Sequence, residues 1–148
     1  MGTKNRVTAE VLPSRVLYTM LRVGDLDRSV AFYREMLGMH EVRRETFTEG
    51  RFTLVFMGFE GGSNNALIEL TFNWEEDRYE LGTGYGHIAL EVADVYAVCE
   101  RLEKLGVVIT RKPGPMSYAV DETGHRETIA FIEDPDGYKI ELIEVQLS

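Results

Sequence analysis

A chain of 148 residues, 44% hydrophobic and 28% charged, has room for one domain or for two small modules that share a core. Its net charge of -9, with the basic residues scattered, argues against nucleic acid as the main partner, and no apolar run approaches the roughly 20 residues of a membrane helix. No signal-type apolar stretch follows the first six residues, and the single cysteine, Cys99, excludes an intrachain disulfide; both make the cytoplasm the expected compartment.

Residues 1–14 are polar, end at Pro13-Ser14 and read as an arm outside the fold, leaving 15–148 as a single domain. Residues 16–23 form a predicted strand, whose alternation puts Tyr18, Met20 and Arg22 on one face and Leu17, Thr19, Leu21 and Val23 on the other. Asp25 then caps a predicted helix. Its apolar residues Leu26, Val30, Tyr33 and Leu37 recur at helical spacing, and Gly38 stands where a left-handed C-terminal residue is wanted. Strands are predicted over 41–44, 52–59 and 66–72. The order then begins again: a strand from His87 to Val92, a helix opened by Asp94 with the stripe Val95, Val98, Leu102 and Leu105 and closed by Gly106, and strands over 107–110, 128–133 and 138–145. The connection 113–127 is of the length of a lid or a disordered segment.

Tyr18-Thr19-Met20-Leu21-Arg22-Val23 matches His87-Ile88-Ala89-Leu90-Glu91-Val92, and Leu67-Ile68-Glu69-Leu70 matches Lys139-Ile140-Glu141-Leu142. The fold class is therefore α+β, with two βαβββ modules in tandem, 16–74 and 86–146. A module of about 55 to 60 residues has a small core, so two curved mixed sheets should pack together, or against a second chain, and form a cleft. The repeat sets Tyr18, Glu69, His87 and Glu141 at equivalent points about a pseudo-twofold centre. Glu69 shares a face with Thr71 and Asn73, and Glu141 with Lys139 and Ile143. A lone strand glutamate reads equally well as solvent-facing, as Glu133 and Glu144 do here. Two glutamates and a histidine at matched positions are instead a set of metal-ligand types. His40 reads as a surface residue, Cys99 as a packed thiol, and Trp74 and Tyr85 as core or cleft wall.

Four stretches carry a wider pattern: Thr19-Met20-Leu21-Arg22-Val23-Gly24-Asp25-Leu26, Glu69-Leu70-Thr71-Phe72-Asn73-Trp74, Gly84-Tyr85-Gly86-His87-Ile88-Ala89-Leu90 and Asp134-Pro135-Asp136-Gly137-Tyr138-Lys139-Ile140-Glu141-Leu142. In this order and spacing the chain, over about residues 16–145, resembles the glyoxalase I (lactoylglutathione lyase) family of the vicinal oxygen chelate superfamily. The resemblance implies methylglyoxal detoxification: isomerisation of the methylglyoxal-glutathione hemithioacetal to S-lactoylglutathione with a divalent metal. Such a weak carbon acid needs a positive centre to stabilise the enediolate. It also needs a carboxylate of moderate pKa to carry a proton between adjacent carbons. What the resemblance implies is Glu141 as that base, Glu69 as its counterpart across the metal and His87 as the nitrogen ligand. It implies that Arg22 and Asn73 hold glutathione, a guanidinium being suited to bidentate contact with a carboxylate. A basic residue of the 113–127 region contacts the glycine end in the family, and His125 and Arg126 are the nearest candidates. A homodimer is implied too, its sites between subunits, joining Tyr18 and Glu69 of one chain to His87 and Glu141 of the other.

The chain departs from the family at two places. Histidine or glutamine usually stands where Tyr18 is. A phenol oxygen lies further from the backbone than an imidazole nitrogen, and the unperturbed pKa of tyrosine is about 10. Three outcomes are open: Tyr18 ligates a displaced metal, Tyr18 lines the cleft while water fills the position, or the metal site is lost; the second is preferred. The other departure is the longer 113–127 connection. The short stretch 74–79, without the insertions of zinc-dependent members, resembles the nickel- or cobalt-activated group, with zinc possible. One imidazole and two carboxylates make a hard, oxygen-rich site. A ring-cleaving dioxygenase would need two histidines and one carboxylate around iron, which this set does not supply. The alternative is a metal-free or metal-weak protein that sequesters a small molecule in the same cleft. Carboxylates buried there without a cation weigh against it.

Overall fold

The computed structural model describes residues 9–60 and 65–145. The first eight residues of the predicted arm and the last residue of the second predicted repeat lie outside them. Ala9–Val11 form a 3-10 turn with no buried side chain.

Two four-stranded sheets repeat one topology. The first holds β1 Tyr18–Arg22, β2 His40–Phe47, β3 Phe52–Gly58 and β4 Leu67–Asn73 in the order β1-β4-β3-β2. The second holds β5 Ile88–Val92, β6 Ile109–Pro115, β7 Thr128–Glu133 and β8 Lys139–Glu144 in the order β5-β8-β7-β6. β1 lies parallel to β4 and β5 to β8, while the other pairs are antiparallel. This is the predicted α+β tandem, each parallel pair requiring a crossover that includes a helix.

The helices obey their caps. α1, Leu26–Ala31, opens with the Asp25 carboxylate accepting the Arg28 N–H at 3.1 Å, and continues as a wider π turn over Phe32–Met36. α2, Val95–Lys104, opens with Asp94 accepting the Ala97 N–H at 3.0 Å. Gly38 (φ 77°) and Gly106 (φ 84°) close them in the left-handed conformation. Leu105, placed in the apolar stripe by its spacing, is 47% exposed instead, because the helix ends one residue before it.

β2 is longer than the predicted 41–44, and every residue in it is exposed. Arg43, Arg44 and Glu45 blunt this open edge against strand addition. The 113–127 connection is an ordered extension of the β6–β7 hairpin: Met116 N–H reaches the Glu127 carbonyl at 2.9 Å and Val120 N–H that of His125 at 2.8 Å.

One core serves both modules. Val23, Tyr33 and Leu70 belong to the same buried cluster as Leu102, Ile140 and Leu142. Polar ties cross the boundary as well. Tyr33 Oη donates to Asp134 Oδ2 at 2.7 Å, and burial pushes both groups above their ordinary pKa range. Asp136 accepts the Gly24 N–H at 3.0 Å and the Ser29 hydroxyl at 3.2 Å, while Tyr138 Oη donates to the Arg22 carbonyl at 2.7 Å. Arg101 of α2 caps the end of the first helix, donating to the Glu35 and Met36 carbonyls at 2.8 and 2.9 Å.

Candidate metal centre and substrate cleft

Strand register assembles each half of the site from four neighbouring strands. Met20 of β1 lies beside Glu69 of β4, which faces Phe56 of β3, which faces Arg43 of β2. In the second sheet the row is Ala89, Glu141, Phe131 and Arg111. Both rows depend on a bulge in the edge strand, the register shifting between Glu41 and Arg43 and again between Ile109 and Arg111. Bulges re-aim side chains, and here the shift sets an arginine opposite the phenylalanine in each module.

His87 and Glu141 meet directly, Nε2 to Oε1 at 3.1 Å, with the histidine side chain 40% and the glutamate 13% exposed. The His87 ring stands edge-on to Phe131, centroids 5.0 Å apart. The matching pair in the first module is Tyr18 edge-on to Phe56 at 5.1 Å. Glu69 is buried, at 5% exposure, and accepts a hydrogen bond from the Thr71 hydroxyl. Glu141 is more open than Glu69, and Ala89 stands beside it where Met20 stands beside Glu69.

Among the described residues, no three histidine, cysteine, aspartate or glutamate side chains converge to hold a metal ion. Each module of one chain carries a part of the set. The chemistry of that set fits a divalent cation: a buried carboxylate held by one hydroxyl, and a second carboxylate against an imidazole, are arrangements that a positive ion stabilises.

The remaining predicted residues are placed as follows. Arg22 lies at the exposed end of β1, and Asn73 at the end of β4, its amide donating to Tyr79 Oη at 3.1 Å. His125 is exposed on the hairpin extension. Arg126 is occupied within that extension, its guanidinium donating to the Met116 and Ser117 carbonyls at 3.1 and 2.7 Å, and it acts there as a strut.

Glu144, read as solvent-facing, is half-buried and accepts the Val95 N–H at 3.0 Å, capping α2 together with Asp94. Tyr85 packs edge-on to Tyr138 and donates to the Lys139 carbonyl at 3.3 Å; desolvation pushes its phenol up to about 12. Trp74 Nε1 donates to the Thr53 hydroxyl at 3.0 Å. Phe56, Phe131, Thr71 and the Arg43/Arg111 pair were not singled out from sequence. The available signal was the period-2 face shared by Glu69 and Thr71, and the arginine that follows Gly38 and Gly106 by five residues in both modules.

Known proteins resemble the chain in sequence and in fold. Residues 15–142 match the profile of the glyoxalase/bleomycin resistance protein/dioxygenase superfamily. The lactoylglutathione lyase of Haemophilus influenzae is 52% identical over 130 residues, covering 88% of this chain and 92% of that protein. The crystal structure of glyoxalase I from Zea mays superposes with a TM-score of 0.79 at 40% identity, covering 90% of this chain and 46% of that one, so the chain spans about half the length of the maize enzyme. The trypanothione-dependent glyoxalase I of Leishmania major superposes with a TM-score of 0.73 at 41% identity, over 89% of this chain and 87% of that one. The chain belongs to the glyoxalase I (lactoylglutathione lyase) family of the vicinal oxygen chelate superfamily.

Proposed function

We propose that the chain isomerises the hemithioacetal of methylglyoxal and glutathione to S-lactoylglutathione. The observation that carries this reading is the repeated row, with Glu141 against His87 at 3.1 Å in one module and the buried Glu69, held by Thr71, at the equivalent point of the other. A divalent metal, nickel or cobalt in preference to zinc, would be held by Glu69, His87 and Glu141 and would supply positive charge at the two substrate oxygens. Tyr18 lines the cleft beside it.

In this reading Glu141 takes the proton from the carbon that bears sulfur and hydroxyl and returns it to the adjacent carbon, while the hydroxyl proton passes to the neighbouring oxygen, so that the first carbon becomes the thioester carbonyl and the second the carbinol. Atoms and charge balance within the substrate, and the carboxylate ends as it began. Glu141, 13% exposed and held among the described residues only by His87, has more freedom to move between two carbons than Glu69, which is buried and bonded to Thr71. Arg22 and Asn73 hold the glutathione portion, and His125 and Arg126 belong to the hairpin that would border its glycine end. Because the two modules of one chain present their carboxylates separately, the reading places the working site between two copies, in a homodimer of the cytoplasm.

The test is metal analysis of the purified protein, together with an assay of the methylglyoxal-glutathione adduct under added nickel, cobalt and zinc. Turnover that depends on metal supports the reading. No bound metal and no isomerisation with any of the three would overturn it in favour of a metal-free binding protein.

A further inference from the structure

The two arginines of the repeated rows have different surroundings. Arg111 is consumed by the backbone: its guanidinium donates to the carbonyls of Lys112, Gly114, Ile129 and Pro115 at 2.8 to 3.2 Å. Among the described residues, Arg43 has no carbonyl partners of this kind. Its guanidinium carbon lies over the Phe56 ring, 3.7 Å from the centroid, and among the described residues its ionic neighbour is Glu45 at 3.7 Å, a pair half-open to solvent. An exposed pair at that distance contributes little. The stacking holds Arg43 in place while leaving its N–H groups available.

Arg43 and Tyr18 share the Phe56 ring. Both border a cavity of about 250 Å³, together with Arg15, Phe59 and Asn65. Among the described residues no carboxylate lines this cavity, although the chain carries 25 acidic residues against 16 basic ones.

Position along β1 gives the cavity a meaning. Arg22, the glutathione-holding candidate, lies four residues beyond Tyr18 on the same face, roughly 13 Å along the strand. The cavity lies at the opposite side of Tyr18, at the start of β1. A hemithioacetal whose thiol portion runs toward Arg22 and whose two oxygens sit near Glu69 turns the substituent of its oxoaldehyde toward Arg43. We propose that Arg43, with Arg15, forms a subsite for an anionic substituent on the oxoaldehyde, so that the chain prefers α-oxoaldehyde adducts ending in a carboxylate or phosphate. This inference rests on the reaction proposed above and names the substrate class for it.

The experiment compares glutathione adducts of 4,5-dioxopentanoate and of its methyl ester, which differ by one charge, with the methylglyoxal adduct run alongside. The wild-type kcat/KM for the carboxylate should exceed that for the ester by about tenfold or more, the size of one charge-assisted contact. Arg43→Gln should bring the ratio close to one, Arg43→Lys should restore part of it, and Arg15→Gln should lower it less. A wild-type ratio near one, or a ratio that survives Arg43→Gln in a folded protein, would overturn the subsite while methylglyoxal turnover still upholds the reaction. Inactivity of the metal-loaded wild type on all three adducts would overturn both.

Discussion

Tyr18 and His87 hold the same place in the two modules: each ring stands edge-on to the phenylalanine of its own sheet, with centroids 5.1 and 5.0 Å apart and planes at 77° and 81°. The tyrosine therefore occupies the histidine's station without offering its chemistry. Its polar atom is an oxygen carried further from the strand than an imidazole nitrogen, and the phenol must lose a proton to become a strong ligand.

Tyr18→His should restore a nitrogen donor at a position already built for an aromatic ring. Nickel or cobalt should bind roughly ten to a hundred times more tightly, read by calorimetric titration, with a rise in turnover. Weaker binding would show instead that the Tyr18 phenol is itself a working ligand.

Glu69→Gln and Glu141→Gln should each remove turnover by about a hundredfold or more while leaving the circular dichroism spectrum unchanged. If the site joins the first module of one copy to the second module of another, unfolding and refolding the two inactive variants together restores one intact site per mixed dimer, giving about a quarter of wild-type activity. A mixture that stays inactive places each site within a single chain.

Asp134 supplies a pH test of the core. Burial raises its pKa above the ordinary aspartate value of 3.8 despite the hydrogen bonds it accepts from Tyr33 and from the backbone of Asp136 and Tyr138. The folded protein thus retains a proton that the unfolded chain releases. That contribution to stability is complete below pH 3.8 and is lost as pH rises through the raised folded value. Asp134→Asn lacks it. The difference in urea midpoint between wild type and Asp134→Asn should shift in favour of the wild type as pH falls from about 7 to about 4; a difference independent of pH would contradict the raised value.

Gly24→Ala tests the junction where β1 leaves its sheet. A Cβ there would lie 2.2 Å from the Asp77 carbonyl oxygen, and backbone rather than a flexible side chain would have to yield. The substitution should lower stability by about 1–3 kcal/mol in urea titration. An unchanged midpoint would mean that the 74–86 connection moves freely.

Features fixed by neighbouring residues were legible before the structure. Asp25 and Asp94 cap their helices, and Gly38 and Gly106 close them, because capping depends on residues three or four apart. The alternation along β1 and β4 likewise put Tyr18, Arg22, Glu69 and Asn73 on one face. Relationships across long separations were hidden. Glu144 alternates as a surface residue would, yet it caps a helix 49 residues away. Arg101 looks like an ordinary exposed helix residue but closes α1, and Arg126, chosen for its charge, is used up by carbonyls of its own hairpin. The length of the 113–127 connection suggests a lid or a disordered segment, and its backbone pairing across the hairpin counts against disorder. A bulge leaves no periodic trace, so the matched spacing of Arg43 and Arg111 after Gly38 and Gly106 does not by itself show that each faces the phenylalanine of its row.

The grip of Arg101 on the end of α1, with that of Asp136 on its beginning, bears on how such a chain can evolve. Two copies of an ancestral module could once have drifted independently, but here the second half secures both ends of the first half's helix, and the two share one interior. A gene fragment encoding the first half alone would yield a chain with a frayed helix, and either half alone would leave an apolar face uncovered. The duplication has become irreversible: later change can proceed by altering single positions such as Tyr18, and no longer by exchanging or discarding a half.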